Sequence, residues 1–234
     1  VTLIAVTGGT GFIGAALIDQ LLTQGAQVRA LARDPRRLKQ ADRIEAVKGS
    51  VEDEGALAAL AQGVDAILHL AGETHAKTEQ DYARINVEGA RRAAAAAAKA
   101  GARFVHASSL SARQPETSPY ARSKFESERA VQEASQGSEF LALRLPAIYG
   151  PGDLVTLPYF KLLKSGFAFE PATDRPARAS ILYVDDAASA IAAAASKGAP
   201  GRVYDVGDDC AEGRAWADIG RTLSEIIGNN PMAL

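Results

Sequence analysis

The stretch Val1-Thr2-Leu3-Ile4-Ala5-Val6-Thr7-Gly8-Gly9-Thr10-Gly11-Phe12-Ile13-Gly14 decides the fold. Its first six residues are mostly strong strand formers, and the run from Thr7 to Gly11 stops them abruptly, so they read as a buried strand. Beyond the glycines, Ile13, Leu17, Ile18, Leu21 and Leu22 recur at helical spacing, which predicts a helix to about Gln24 with Gly25 as its terminator. Residues 27–32 follow as a second strand, at the distance a right-handed crossover through one helix requires. Gly8, Gly11 and Gly14 fall three residues apart in the turn that joins strand to helix. Small residues there allow a tight turn, a close backbone approach to a pyrophosphate and helix packing on the strand. The free amides at the helix start add donors and a positive dipole end.

Outward from this unit the rhythm repeats. Residues 43–47 read as strand, 54–61 as helix and 64–70 as strand ending at Ala71-Gly72. A long helix is predicted over 80–100, where Arg91-Arg92 precede six alanines and Lys99. Alanine favours helix and lets another backbone approach closely, so this helix is expected against the sheet or against a partner. Strands at 103–107 and 139–145 flank a helix over 119–135. Strands alternating with helices of this length predict an α/β fold, a doubly wound parallel sheet with helices on both faces. Pro146 and Tyr149-Gly150-Pro151-Gly152 interrupt the regularity. Beyond them the pattern predicts a helix over 154–164, a strand over 180–184, a helix to 196, a strand over 203–206 and a helix over 216–227. Domain organisation follows: a dinucleotide-binding domain over 1–146 with 181–200 returning to it, and a small, reduced substrate lobe from 147–180 and 201–234.

Composition narrows the function classes. The 234 residues carry 26 basic and 28 acidic side chains, a balance that weakens the case for a nucleic-acid partner. With 47% hydrophobic and 23% charged residues the chain is globular in composition. The single Cys210 excludes an internal disulfide and suits a reducing, cytoplasmic setting, and the histidines at 69, 75 and 106 lack metal-ligand spacing. His69 and His106 lie in apolar runs and read as core residues, whereas His75 follows a turn. The opening apolar run is too short to cross a bilayer and has no basic prelude, so no membrane span is expected. The charged run 126–129 reads as a solvated helix face.

The order of motifs resembles the extended and atypical short-chain dehydrogenase/reductase superfamily, specifically its NAD(P)-dependent epimerase/dehydratase group. The resemblance is carried by Thr7-Gly8-Gly9-Thr10-Gly11-Phe12-Ile13-Gly14, Leu70-Ala71-Gly72, Asn86-Val87-Glu88-Gly89, Ser108-Ser109 and Tyr120-Ala121-Arg122-Ser123-Lys124. It extends through Arg144-Leu145-Pro146-Ala147-Ile148-Tyr149-Gly150-Pro151-Gly152 and Tyr183-Val184-Asp185-Asp186. It implies Tyr120 as catalytic acid/base, Lys124 as the group that holds the nicotinamide ribose and lowers the tyrosine pKa, and Ser109 as the hydroxyl that positions the carbonyl. Asn86 is implied to support the lysine and a proton-relay water. The implied cofactor contacts run from Gly8, Thr10, Gly11, Phe12, Ile13 and Gly14 through Leu70, Ala71 and Gly72 to Tyr120, Lys124 and Pro146. Where the family commonly has an aspartate against the adenine, this chain reads Gly49-Ser50-Val51, leaving Ser50 and Val51 at that position.

The residue chemistry is consistent with these roles. Tyr120 and Lys124, four apart, share one helix face. A nearby cation favours a phenolate, and a serine can donate to an oxygen that gains charge during hydride transfer. Arg33, with Arg36 and Arg37 beyond it, offers a fork to a 2′-phosphate and favours NADP, while Asp34 keeps NAD open. For substrate, nucleotide-sugar epimerase/dehydratase chemistry stands beside reduction of a small carbonyl, which the short second lobe suits. A nucleotide-binding sensor or structural subunit without turnover is the third reading. The alanine-rich helix and the Tyr120 helix together suggest a homodimer of the four-helix kind found in related proteins.

Overall fold

Strand β1 (Leu3–Thr7) lies inside a seven-stranded parallel sheet, paired on both sides, its residues buried from Ile4 onward. This computed structural model describes residues 2–135, 137–168, 177–208, 210, 212–228 and 232–233. After β1 come α1 (Phe12–Thr23), β2 (Gln27–Ala32), β3 (Ile44–Lys48), α2 (Glu54–Ala61) and β4 (Ala66–His69). The helical path then runs through α3 (Glu79–Tyr82), a π-helical segment (Ala83–Glu88) and α4 (Gly89–Ala100). Next are β5 (Arg103–Ser109), α5 (Pro119–Ala134) and β6 (Phe140–Leu145). The chain continues through β7 (Ala147–Tyr149), α6 (Leu157–Lys164), β8 (Phe167–Ala168), β9 (Arg178–Ala179), β10 (Ile181–Tyr183) and α7 (Val184–Ala194). It ends with β11 (Arg202–Asp205), β12 (Arg214–Ala215), α8 (Trp216–Ile227) and β13 (Met232–Ala233).

The sheet order is β11-β6-β5-β4-β1-β2-β3. The order reverses between β1 and β4, which is where an open α/β sheet leaves a crevice for ligands. Ala5, Ile67 and Phe104 share a core with Leu57 and Leu60 of α2, Ala90, Ala93, Ala94 and Ala97 of α4, and Val131 of α5. The intervening residues Ile4, Val6 and Leu68 point to the other face, which α1 and α7 cover, joined by a 2.8 Å bond from Gln20 Nε2 to Ser189 Oγ. The alanines offered as a subunit seam therefore meet α2 and the sheet of their own chain. The long helix expected over 80–100 is present, but with a π-helical step in the middle.

Two compact units form: Val1–Leu145 with Asp185–Val206, and Pro146–Val184 with Gly207–Leu234. Two boundaries differ from the sequence reading. Residues 201–206 join the first unit because β11 extends the main sheet through parallel pairing with β6. Residues 181–184 leave it because β10 pairs with β7 in the second unit. The expected lobe segment 147–180 includes 169–176, which lie outside the described residues, as do 209, 211, 229–231 and 234 of the segment 201–234. Within the second unit the Tyr159 ring lies 5.1 Å from Trp216, linking α6 to α8, and Tyr149 packs edge-on against Tyr183 at 5.5 Å.

Candidate active site

The glycine turn is built by three different constraints. Gly8 has φ +74°, and a Cβ there would come within 2.7 Å of the Leu70 carbonyl carbon and the Ala71 nitrogen, so the first turn abuts the end of β4. A Cβ on Gly14 would meet the Gly8 carbonyl oxygen at 2.2 Å, which fixes the first turn of α1 against the loop. Gly11, the N-cap of α1, has an ordinary φ of −83°, and a Cβ there would approach only the Gly8 oxygen, at 3.2 Å. The space beside Gly11 is open, and no acidic side chain stands in the first turn of α1 to compete for its amides. An exposed Thr10 and half-buried Phe12 and Ile13 complete a cradle that fits a dinucleotide pyrophosphate.

Thr7 ties this turn to its neighbour strand. Its hydroxyl accepts from the Ala71 amide at 3.2 Å and bonds His69 Nδ1 at 2.9 Å. On the opposite flank, Arg33 is exposed past the end of β2, while Arg36 holds both carboxylate oxygens of Asp34 at 2.8 and 3.0 Å. That contact keeps the Asp34 carboxyl below its ordinary range. Ser50 Oγ accepts from the Glu52 amide at 3.2 Å. The Val51 side chain is in the core against α4, so only its backbone is left to a cofactor.

The expected catalytic set comes together where β5 meets α5. Ser118 caps α5, its hydroxyl accepting from the Ala121 amide at 3.1 Å, and Pro119 follows at the first helical position. Tyr120 is half-buried beside Ser109 at the end of β5, and its ring lies 6.1 Å from that of Tyr82. Burial pushes the phenol above its ordinary value of 10.0, opposed by the neighbouring Ser109 hydroxyl. Lys124 is 7% exposed and donates to the Ala107 carbonyl at 2.6 Å. Burial brings its pKa down from 10.5 to about 8, with Glu128 acting the other way. Burial is the largest influence on the Tyr120 phenol, which is protonated at neutral pH.

Asn86 is fixed by direct contacts to the loop after β4 and to α5. It is buried in the π-helical segment and clamps the backbone of Glu73, accepting from its amide at 2.7 Å and donating to its carbonyl at 3.0 Å. Its Nδ2 also donates to Ser123 Oγ at 2.9 Å, tying α5 to the loop after β4. It thus supports the helix that carries Lys124. Single π-helical turns recur at functional sites because they re-aim one side chain. Pro146 opens the second unit and is half-buried there.

A polar layer underlies Lys124. His69 and His106 are register partners on β4 and β5 with stacked rings 5.6 Å apart. His106 Nε2 bonds Ser127 Oγ at 2.9 Å, and Ser127 donates to the Lys124 carbonyl at 2.7 Å. Burial, followed by the nearby lysine charge, brings the His69 pKa to about 3 and holds His106 well below 6.5, so both are neutral. His69 is therefore a core residue as expected, although its Nε2 has no partner among the described residues. His75 is exposed and bonds Thr74 Oγ1 at 2.9 Å. The run 126–129 is not one solvated face: Glu126 and Arg129 are exposed, but Ser127 and Glu128 are buried. Glu128, Ser108 and Arg144 form a network that sequence reading missed, although its Lys-x-x-x-Glu spacing placed the carboxylate on the lysine's face.

The profile of the NAD dependent epimerase/dehydratase family matches residues 4–207. The chain belongs to this family. It is thereby an enzyme of a dinucleotide-using class. The chain is 38% identical over 230 residues to the ceramide reductase of Caulobacter vibrioides, covering 97% of this chain and 71% of that protein. It is 33% identical over 177 residues to a 3 beta-hydroxysteroid dehydrogenase/Delta 5-->4-isomerase of Mycobacterium tuberculosis, covering 64% of this chain and 48% of that protein. Among solved structures, it is similar to the dTDP-glucose 4,6-dehydratase DesIV of Streptomyces venezuelae with NAD bound. That similarity has TM-score 0.80 and 26% identity, and covers all of this chain and 84% of the other. No helix among the described residues is long and apolar enough to cross a membrane.

Proposed function

We propose that this protein is an NADPH-dependent reductase of a ketone carried on an apolar chain. The observation that carries the reading is the half-buried phenol of Tyr120, which burial keeps neutral, beside Ser109 and one helical turn from the buried Lys124. A phenol that burial keeps neutral is suited to give a proton to a carbonyl oxygen as that oxygen gains charge. The reduced nicotinamide supplies the hydride when bound. Ser109 orients the carbonyl oxygen and stabilises its developing charge, Tyr120 protonates it, and the product is a secondary alcohol. Lys124 holds the nicotinamide ribose beside the phenol, and Asn86 fixes the loop and helix around them. Gly8, Thr10, Gly11, Phe12, Ile13 and Gly14 take the pyrophosphate, and Ser50, Val51 (through its backbone), Leu70, Ala71 and Gly72 take the adenosine side. Pro146 takes the nicotinamide side.

NADP is favoured over NAD because Arg33 is exposed with a free fork while both Asp34 oxygens are occupied by Arg36. The apolar substrate is supported by the likeness to the ceramide reductase. Nucleotide-sugar chemistry is the second reading, favoured by the likeness to the dTDP-glucose dehydratase. Against it, Arg178 in the second unit is tied to the carbonyls of Glu212 and Gly213, Arg214 to Asp208 and Arg221 to Asp218. Each of these arginines already has an acidic or carbonyl partner within its own unit.

Purified protein with NADPH and a series of 2-alkanones of rising chain length tests the reading. Loss of reduced-nicotinamide absorbance that grows with chain length is expected. Retained oxidised dinucleotide, with UDP-glucose converted and no NADPH consumed, would favour the second reading. Dinucleotide binding without turnover of either would indicate a sensor or structural subunit. A homodimer through the outward faces of α4 and α5 is part of the proposal, and a concentration-independent monomer mass in light scattering would exclude it. The cytoplasm is the proposed location, on the argument from the single cysteine.

A further inference from the structure

We infer that Glu128 is a positioning residue, its carboxylate clasping the helix that carries Tyr120 and Lys124 to the carboxyl ends of β5 and β6. The inference rests on the roles given to Tyr120 and Lys124 above. Glu128 lies one turn beyond Lys124 on the buried face of α5 and is 8% exposed. Its Oε1 accepts from Ser108 Oγ at 2.5 Å and from Arg144 Nε at 2.9 Å, and its Oε2 accepts from the Arg144 terminal nitrogen at 2.7 Å. Ser108 and Arg144 are register partners on adjacent strands, so one carboxylate spans both. Ser108 directly precedes Ser109, and Arg144 lies two residues before Pro146. The clasp therefore sets where α5 sits along the strand ends, and with it the separation of Tyr120 from Ser109.

Closing the seam does not by itself require charge. Two buried ions lose their hydration, and well-packed apolar residues often serve stability equally well. What the carboxylate adds is direction, through a bidentate fork, and a negative charge beside Lys124 that opposes the burial driving the lysine toward its neutral form. The groups facing the lysine are His69 on β4 and His106 on β5, both neutral, with Tyr120 and Glu128 on its own helix. Arg144 on β6 faces Glu128 from the far side, backed by Asp205 on β11.

Nuclear magnetic resonance of ε-labelled lysines, with Lys124→Met identifying the signal, tests this without any substrate. In Glu128→Gln the Lys124 titration should move down by roughly half to one pH unit. With a 2-alkanone that the wild type reduces, kcat should fall about tenfold, because the clasp sets the separation of Tyr120 from Ser109. A folded Glu128→Gln whose Lys124 titrates as in the wild type overturns the inference. Should that variant fail to fold, the Glu128→Gln/Arg144→Met double variant removes both charges. A low lysine titration persisting in it supports the role, and a return to the wild-type titration overturns it by placing the effect on an orphaned Arg144. If the wild type reduces no 2-alkanone, the functional reading fails alone, and the lysine titration still decides the clasp.

Discussion

Replacing Lys124 by methionine should change how stability depends on pH more than it changes stability itself. Methionine matches the length of the lysine stem but removes the ammonium that burial disfavours. In the folded chain the lysine pKa is about 8, against an ordinary 10.5. At about 1.4 kcal/mol for each tenfold change in proton affinity, holding the ammonium in the fold costs at most ~3 kcal/mol below pH 8. The sign follows from proton counts. Between pH 8 and 10.5 the unfolded chain keeps this proton and the folded chain releases it, so folding becomes more favourable as pH rises. Urea unfolding of wild type and variant at matched pH isolates the group, because other titrating residues cancel in the difference. Wild-type stability should rise relative to the variant by about 3 kcal/mol between pH 7 and pH 10.5. At pH 7 the variant gains the desolvation term and loses roughly 1 to 3 kcal/mol for the unpartnered Ala107 carbonyl, so it should be about as stable as the wild type or more so. A difference that stays flat across that range would refute the claim that Lys124 is a buried ammonium held against its solvation.

Tyr120→Phe keeps the ring and its packing against Tyr82, so dinucleotide affinity should hold while single-turnover hydride transfer falls by roughly 10² to 10⁴; a near-wild-type rate would remove Tyr120 from the chemistry. Gly11→Val should leave the fold intact yet weaken dinucleotide binding at least about tenfold, because its side chain enters the space beside the α1 amides; calorimetry with unchanged affinity would assign the turn another role. Arg33→Ala should weaken NADP by about 1.5 to 3 kcal/mol while leaving NAD unchanged, and equal losses for both would defeat the 2′-phosphate assignment. His69→Phe should flatten the acid side of thermal melts. The buried histidine titrates at about 3 in the fold against an ordinary 6.5, so its share of stability is present above 6.5 and is lost as pH falls through that range. Parallel melts of wild type and variant at pH 4 and pH 7 check it.

The parts of the molecule legible in the sequence are those set by local spacing. The glycines at 8, 11 and 14, between an apolar run and a 3.6-residue periodicity, specify strand, turn and helix. Tyr120 and Lys124 reach one helix face by spacing alone. What was not legible depends on neighbours distant in sequence. Residues 201–206 read as part of a lobe because nothing local reveals that β11 pairs with β6. The run 126–129 read as solvated because charge was taken for exposure, yet Glu128 meets Ser108 and Arg144 from two strands. Asn86 sits in a π-helical step that puts its amide on the Glu73 backbone, and no residue pattern in 83–88 announces it. The burial that raises the Tyr120 phenol was not legible for a related reason, being a property of the packed site.

These buried groups work as one arrangement whose charge state spans a limited pH range. Below Lys124 lie two imidazoles, and a protonated His69 or His106 would set a second cation in the field of the first. Both are held neutral by burial, and the lysine charge deepens that shift, so over the neutral range Lys124 is the cation of this layer. Above about 8 the lysine itself becomes neutral, well before the phenol ionises, because the same burial moves an acid and a base in opposite directions. The first ionisation met on raising the pH is therefore that of Lys124 and not of Tyr120, the proposed ribose holder and proton donor respectively. The alkaline fall of kcat should accordingly follow Lys124, moving to lower pH in Glu128→Gln and disappearing from its wild-type position in Lys124→Met. If the fall instead stayed near the phenol's range in all three proteins, the proton donor would be titrating alone and the layer beneath it would have no part in the chemistry.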